Sequence, residues 1–174
     1  MELKIVKYFN RLGKGKVDGV TDFLSRVKYL FVFWVAVSGV AVFFAGENRK
    51  ELIISLAIVT ASHFLLTEGI MKHTLTKLWG IRRRPYIIDT NIISIGRQFS
   101  DSSFPSSHMA STLAMLVALT YFFPFVWPVS LIFVLVMAFS RLHNGMHYPS
   151  DILAGTILGI GYGVLGIYVS KLFL

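Results

Sequence analysis

Lys77 with Arg84-Pro85, then Pro105-Ser106-Ser107-His108, then Ser140-Arg141 with His147 and Asp151 form three short clusters in a chain of 174 residues. Their residue types suit phosphoryl chemistry. Lys77, Arg84 and Arg141 offer three cations to a phosphoryl group, and an arginine fork can hold two of its oxygens at once. His108 and His147 offer proton transfer and nucleophilic attack. Asp151 follows His147 by four residues, one helical turn. A carboxylate there can accept from one ring nitrogen and leave the other as a lone-pair nucleophile of fixed tautomer.

Each cluster also has an ordinary structural explanation. The basic residues from Lys77 to Arg84 can be snorkelling side chains at a helix end, and Arg82 and Arg83 read as surface charges. Ser106 and Ser107 stand before an apolar helix, where serines are normal N-caps. No Glu or Gln follows either by three residues to close a capping box, so backbone N–H groups and a hydroxyl there can instead bind phosphate oxygens. His108, at the same helix start, can donate a proton to a leaving oxygen. Asp151 can be a helix cap and His147 an interfacial histidine. A shared site requires all three clusters to meet.

The elements that must bring them together are membrane helices. The chain is 55% hydrophobic and only 15% charged, with a mean hydropathy of +0.66, beyond the usual share for a soluble domain. No charge lies between Lys28 and Glu47, only Glu68 between Glu51 and Lys72, none between Asp101 and Arg141, and none between Asp151 and Lys171. The third run is about twice the roughly 20 residues that cross a bilayer. Pro124 and Pro128 near its middle divide it into two helices. The pattern predicts an all-α, polytopic bundle of about five spans: Tyr29 to Ala45, Glu51 to Met71 with an extension to Trp79, Ser106 to Phe123, Phe125 to Ser140, and Asp151 to Leu172. Gly155, Gly159 and Gly163 make a small-residue stripe for helix packing. No cleavable signal is expected, because the first apolar run begins late and lacks a small-residue cleavage pattern.

Residues 1–28 differ in kind. Lys4, Lys7, Arg11 and Lys14 fall on one side of a helix and Ile5, Tyr8, Phe9 and Leu12 on another, as in an amphipathic helix that lies in the headgroup region as an anchor. The net charge of +8 is explained by anionic lipid and topology rather than by nucleic acid. With no cysteine, disulfides and thiolate metal sites are excluded. Counting spans, the Lys77 cluster follows the second, the His108 cluster precedes the third, and the Arg141–Asp151 cluster joins the fourth to the fifth. All three therefore emerge on one membrane face, as one site built from helix ends requires.

Lys77, six residues, Arg84-Pro85; Pro105-Ser106-Ser107-His108; and Ser140-Arg141, five residues, His147, three residues, Asp151 together resemble the three-part signature of the type 2 phosphatidic acid phosphatase superfamily, which shares its site with vanadium haloperoxidases. Gly145 and the run His147 to Gly155 are similar to that family as well. The resemblance implies a membrane lipid phosphatase domain over residues 29–174, with an active-site loop at about 80–105. It implies hydrolysis through a phosphohistidine, without metal or other cofactor. His147 attacks phosphorus, Asp151 orients it and His108 protonates the departing lipid oxygen. Lys77, Arg84 and Arg141, with Ser106 and backbone N–H near Ser107, hold the phosphoryl oxygens. Ser107 stands where the family most often has glycine, so a glycine-only backbone conformation is not expected there.

The implied partners are a lipid phosphate substrate and the bilayer, with no obligate protein partner. Candidate substrates are lipid A 1-phosphate, phosphatidylglycerophosphate, undecaprenyl diphosphate and phosphatidic acid. The basic loop leans toward a highly anionic glycolipid head, and Tyr86 to Ile95 with Phe99 and Phe104 are expected to guard a lateral opening for the lipid chains. A lipid phosphotransferase with the same site is the nearest alternative; a transporter or channel with a polar pore is the alternative from another class. The resemblance points to the periplasmic or outer face of a plasma membrane, bacterial inner membrane by expectation. Fourteen of the seventeen Lys and Arg residues fall on the active-site side, which by the positive-inside rule favours the cytoplasm.

Overall fold

The computed structural model describes residues 1–173, apart from the side chains of Leu75 and Trp79; Leu174, the last residue of the expected membrane domain, lies outside them. Every element among the described residues is helical. Two short helices come first, α1 (Glu2–Arg11) and α2 (Asp18–Ser25), followed by the long α3 (Val27–Phe44). The second rod starts as α4 (Arg49–Ser62), widens into a π-helix over His63–Leu75 and ends in α5 (Thr76–Trp79). A one-turn α6 (Pro85–Ile88) sits in the long loop, and α7 (Ser107–Phe122), α8 (Trp127–His143) and α9 (Pro149–Leu172) complete the chain.

Four of these rods are long and apolar enough to cross a membrane: Val27–Phe44, Gly46–Leu78, Pro124–His143 and Pro149–Leu172, with α7 a shorter apolar helix. The five expected spans thus appear within a few residues of their anticipated ends. Bilayer crossing leaves a strong mark because every backbone polar group must be bonded internally, which selects long uncharged helices. Large apolar side chains such as Val32, Phe43, Leu135 and Ile157 point outward, more than half exposed on the bundle surface.

The bundle is centred on α7. Met109, Ala110, Leu113, Ala114 and Ala118 are buried in the main core with Leu52, Leu56 and Val59 of α4, Met137 of α8 and Tyr162 of α9. Against it lies the glycine stripe of α9. A Cβ at Gly155 would stand 2.5 Å from Ser106 O, and one at Gly159 would stand 2.6 Å from Ala110 O and 2.5 Å from Leu113 Cβ. The absent side chains let the two backbones approach, and so fix the start of α7 beside the start of α9. Gly159→Val is therefore expected to lower the thermal midpoint in detergent, since overpacking costs about 1–3 kcal/mol and outweighs the small gain in helix propensity. An unchanged midpoint would show that the two helices are not in this close register.

The amino-terminal segment departs from the expected single surface anchor. It is broken at Gly13 and Gly15, both with positive φ, and α1 lies on α8 and α9 rather than apart from them. Val6 and Asn10, one turn apart, are buried. The Asn10 amide donates to Ile93 O at 2.8 Å and His143 O at 2.6 Å, and its oxygen accepts from Ile93 N–H at 2.9 Å. Ile5, Tyr8 and Leu12 remain exposed beside Lys4 and Arg11. Residues 1–28 thus pack on the pole of the bundle where the three clusters emerge.

Candidate active site

The third cluster is built at the junction of α8 and α9. The chain turns at Gly145, whose φ of +67° suits glycine and where a Cβ would meet Ile92 Cγ2 at 2.7 Å. Extended Tyr148 precedes Pro149, which opens α9 at the position where a missing N–H costs nothing. Asp151, in the first turn of α9, folds back so that Tyr148 N–H donates to its Oδ2 at 2.8 Å. That bond satisfies an otherwise orphaned helix-end donor and fixes the carboxylate.

His147 is buried, 3% exposed. Its Nδ1–H donates to the Ser103 carbonyl at 2.8 Å, while Asp151 Oδ2 stands 3.7 Å from the same nitrogen. Asp151 was expected to be the direct acceptor; the backbone of the Ser102–Phe104 segment takes that place, and the carboxylate sits just behind. The tautomer is fixed as expected, leaving Nε2 as the lone-pair nitrogen, 3.5 Å from Arg84 Nη1. Burial pushes the His147 imidazole down to about 4; Asp151 opposes the shift, and Arg84 and Lys72 add to it. The ring is therefore neutral at pH 7, the form in which it can attack.

Arg84 and Arg141 are both buried. Arg84 donates from Nη1 to Met146 O at 3.2 Å and from Nη2 to Asp101 Oδ1 at 2.6 Å, which aims its fork at the histidine. Arg141 donates to its neighbour Ser140 Oγ from Nε at 3.1 Å and from Nη2 to Ser25 Oγ at 2.7 Å. His108, near the start of α7, lines the same cavity, and its Nε2–H donates to Ser25 O at 3.0 Å. Ser106 caps α7, and its N–H donates to Asp151 O at 3.1 Å, which ties the second cluster to the third. The hydroxyls of Ser103, Ser106 and Ser107 and the Nε of Arg84 are buried without a protein partner. Unpartnered donors of this kind are costly unless a ligand meets them.

Ser106, fully buried, does not line the cavity, and Lys77 is not brought into it either. Lys77 is exposed on the last turn of its rod, with Nζ 3.1 Å from His73 Nε2 one turn earlier. Lys72 lines the cavity instead, paired with Asp101 Oδ2 at 3.0 Å. Partial burial of Asp101 is outweighed by Lys72 and Arg84, which hold its carboxyl below the usual range. Lys72→Ala is accordingly expected to raise KM for a lipid phosphate more than Lys77→Ala does, by roughly 10- to 100-fold for a lost charged hydrogen bond of about 1.5–3 kcal/mol. The reverse order would put Lys77 in the cradle.

A cavity of about 830 Å3 joins these groups to the apolar side chains of α3 and α4. Its polar end carries Lys72, Arg84, His108, Arg141 and His147, and its apolar length runs between α3 and α4 along Phe31, Trp34, Leu56 and Phe64. The lateral opening was expected at Tyr86 to Ile95 with Phe99 and Phe104, of which Phe99 alone lines the cavity. That loop is occupied elsewhere: Ile92 is buried against Val6, Leu142 and Tyr148, and Asn10 pins Ile93. By contrast α3 buries only Leu30, Trp34 and Ala41, which leaves its seam with α4 open.

Arg82, expected as a surface charge, is half-buried and reaches Asp151. A sequence signal existed. Arg82 and Arg84 alternate with Arg83 on non-helical backbone, so they share a face while Arg83 is exposed. The Ser103 carbonyl and Ser25 carried no comparable signal.

One pole of the membrane helices thus brings together a buried histidine, two buried arginines and unpartnered hydroxyls, groups suited to an anionic phosphoryl ligand. Residues 51–173 match the PAP2 superfamily, and the chain belongs to that family. It is 32% identical over 150 residues to the undecaprenyl-diphosphatase BcrC of Bacillus subtilis (strain 168), covering 86% of this chain and 72% of the relative. It is 24% identical over 172 residues to an undecaprenyl-diphosphatase of Sulfolobus acidocaldarius, covering 97% and 78%. The fold is similar to the crystal structure of a transmembrane PAP2-type phosphatidylglycerolphosphate phosphatase from Bacillus subtilis, with a TM-score of 0.69 at 20% identity over 99% of this chain and 83% of that one. The protein is a multi-pass membrane enzyme that hydrolyses lipid phosphates or diphosphates.

Proposed function

We propose that this enzyme removes the terminal phosphate of a polyprenyl diphosphate through a phosphohistidine on His147. The observation that carries the proposal is the lone-pair Nε2 of a buried neutral His147 beside Arg84, with Arg141 and His108 lining the same cavity. The Nε2 lone pair attacks the terminal phosphorus and the P–O bond to the leaving phosphate breaks. His108, entering as the imidazolium with its Nε2–H on Ser25 O, gives that oxygen its Nδ1 proton, so polyprenyl monophosphate departs. Water then attacks the phosphorus, its proton passes to His108, the P–N bond breaks, and inorganic phosphate leaves with His147 neutral again. Arg84, Arg141 and a lysine balance the charge on the equatorial oxygens, with Ser107 donating beside them. Asp151 orients the imidazole from behind.

The long apolar seam between α3 and α4 supports a substrate whose hydrocarbon stays in the bilayer, and the undecaprenyl-diphosphatase relatives support a polyprenyl chain. We place the site on the outer face of a bacterial plasma membrane. With Lys7, Lys72, Arg82 and Arg84 set aside as ion-paired and Arg141 as serving the site, nine Lys and Arg on this pole still stand against three on the other, so this placement follows the family resemblance against the cation count. Purified enzyme offered polyprenyl diphosphate, phosphatidylglycerophosphate, phosphatidic acid and lipid A 1-phosphate is expected to release phosphate with the highest kcat/KM from the first. A higher value for any other lipid overturns the substrate assignment. Because the native chain lacks cysteine, labelling of Arg83→Cys in intact cells by an impermeant maleimide reads the face directly.

A further inference from the structure

Asp151 is fully buried, and its two oxygens are engaged differently. Oδ2 accepts from Tyr148 N–H and faces His147, whereas Oδ1 accepts from Arg82 Nη1 at 2.5 Å. Arg82 reaches that position across the pole. Nη1 also donates to Ser150 Oγ at 2.8 Å, Nη2 donates to Glu2 Oε2 at 2.8 Å, and the guanidinium lies over the Tyr148 ring at 4.3 Å. Glu2 in turn accepts from Ser150 N–H at 2.9 Å, so a carboxylate from α1 caps an orphan donor at the start of α9. Among the described residues, Arg82 is the cation paired with Asp151. A buried carboxylate without such a partner is strongly disfavoured.

We propose that Arg82 is a positioning residue for the reaction: held by Glu2 and Tyr148, it clamps Asp151 so that the carboxylate's other oxygen faces the attacking histidine. The inference rests on His147 being the nucleophile. It gives the amino-terminal helix a part in catalysis, because Glu2 orders the guanidinium that orders Asp151. It also separates the three consecutive arginines by role. Arg84 faces the phosphoryl site, Arg82 faces the carboxylate behind the histidine, and Arg83 is exposed.

The charge effect has a definite sign. His147 attacks as the neutral ring, so activity falls as pH drops through the proton affinity of the His147–Asp151 pair. The groups around that pair are Arg82, Glu2 and Tyr148 on one side and Arg84, Lys72, Asp101, His108 and Arg141 on the cavity side. Removing the Arg82 cation makes a proton on the pair easier to hold, whichever member carries it. The acidic limb of the pH profile therefore moves to higher pH.

The test compares wild type with Arg82→Gln, Arg82→Lys, Arg83→Gln and His147→Ala as purified, detergent-solubilised enzymes on one lipid phosphate, each checked for a folded monodisperse profile. Arg82→Gln is expected to lower kcat by about 10- to 100-fold, the range for lost partners of a catalytic group, with KM within about threefold. Its acidic limb shifts upward, Arg82→Lys recovers part of kcat and moves the limb back, and Arg83→Gln behaves as wild type. Wild-type kcat in Arg82→Gln, a lowered kcat with an unmoved limb, or equal effects from Arg83→Gln each overturn the clamp. Activity retained in His147→Ala instead overturns the nucleophile assignment on which the clamp rests. If Arg82→Gln does not fold, Arg82→Met, which keeps the side-chain length without its charge, decides by its limb: a limb at the wild-type position overturns the clamp, and a raised limb supports it.

Discussion

Replacing His147 by alanine is expected to reduce phosphate release by at least about 10^4-fold, the scale seen when a nucleophile that works as a unit with its partners is removed. The size follows from how completely the site is organised around one nitrogen. Nδ1 is committed to the Ser103 carbonyl with Asp151 behind it, and Nε2 is left facing Arg84 and the cavity. Burial keeps the ring neutral, with a pKa of about 4. His108 is turned differently, with its Nε2 committed to Ser25 O. Residual activity within about tenfold of wild type would mean that water attacks phosphorus directly and that His147 only binds, because general acid–base help alone contributes about 10^2–10^4.

On a lipid monophosphate such as phosphatidic acid, whose leaving group is an alkoxide, His108→Ala is expected to lose about 10^2–10^4, the contribution of a positioned general acid. The loss depends on the leaving group, which distinguishes the proposed role from a structural one. A lipid oxygen needs a proton as the P–O bond breaks. A nitrophenolate, the conjugate base of a much stronger acid, does not. With an aryl phosphate the same variant should come within about tenfold of wild type in the first chemical step, as expected when the acid's contribution is no longer drawn on. Equal losses on both substrates would assign His108 to binding or to the packing of Ser25, whose carbonyl it meets at 3.0 Å.

Much of this was legible in the residues, for physical reasons. A bilayer core admits few charges, so the uncharged runs after Lys28, Glu51, Asp101 and Asp151 mark the rods to within a few residues. The clusters were legible because phosphate recognition uses few residue types, and because helix-end placement put them all on one pole. Gly159 was legible as packing because a stripe of small residues lets helices approach closely, and a Cβ there would stand 2.6 Å from the facing carbonyl.

What escaped was long-range or carried by backbone. The acceptor of His147 is a main-chain oxygen forty-four residues away, and any residue type could supply it. The Arg82 bridge joins Asp151 and Glu2 across sixty-nine and eighty positions. Asn10 and Ser25 looked like parts of an anchoring segment, yet they hold Ile93, His143 and Arg141. Lys72 rather than Lys77 lines the cavity, and the helix widening over His63–Leu75 beside it has no signature in residue type.

The covalent intermediate is the most direct measurement. Enzyme mixed with phosphate-labelled lipid diphosphate, quenched within one turnover and digested, should yield one phosphopeptide spanning His147, with an acid-labile, base-stable phosphoramidate at that residue. The label should be absent from His147→Ala protein and should accumulate when water attack is slowed. A turnover-competent enzyme that carries no phosphate at any stage, or carries it on another residue, would contradict the mechanism.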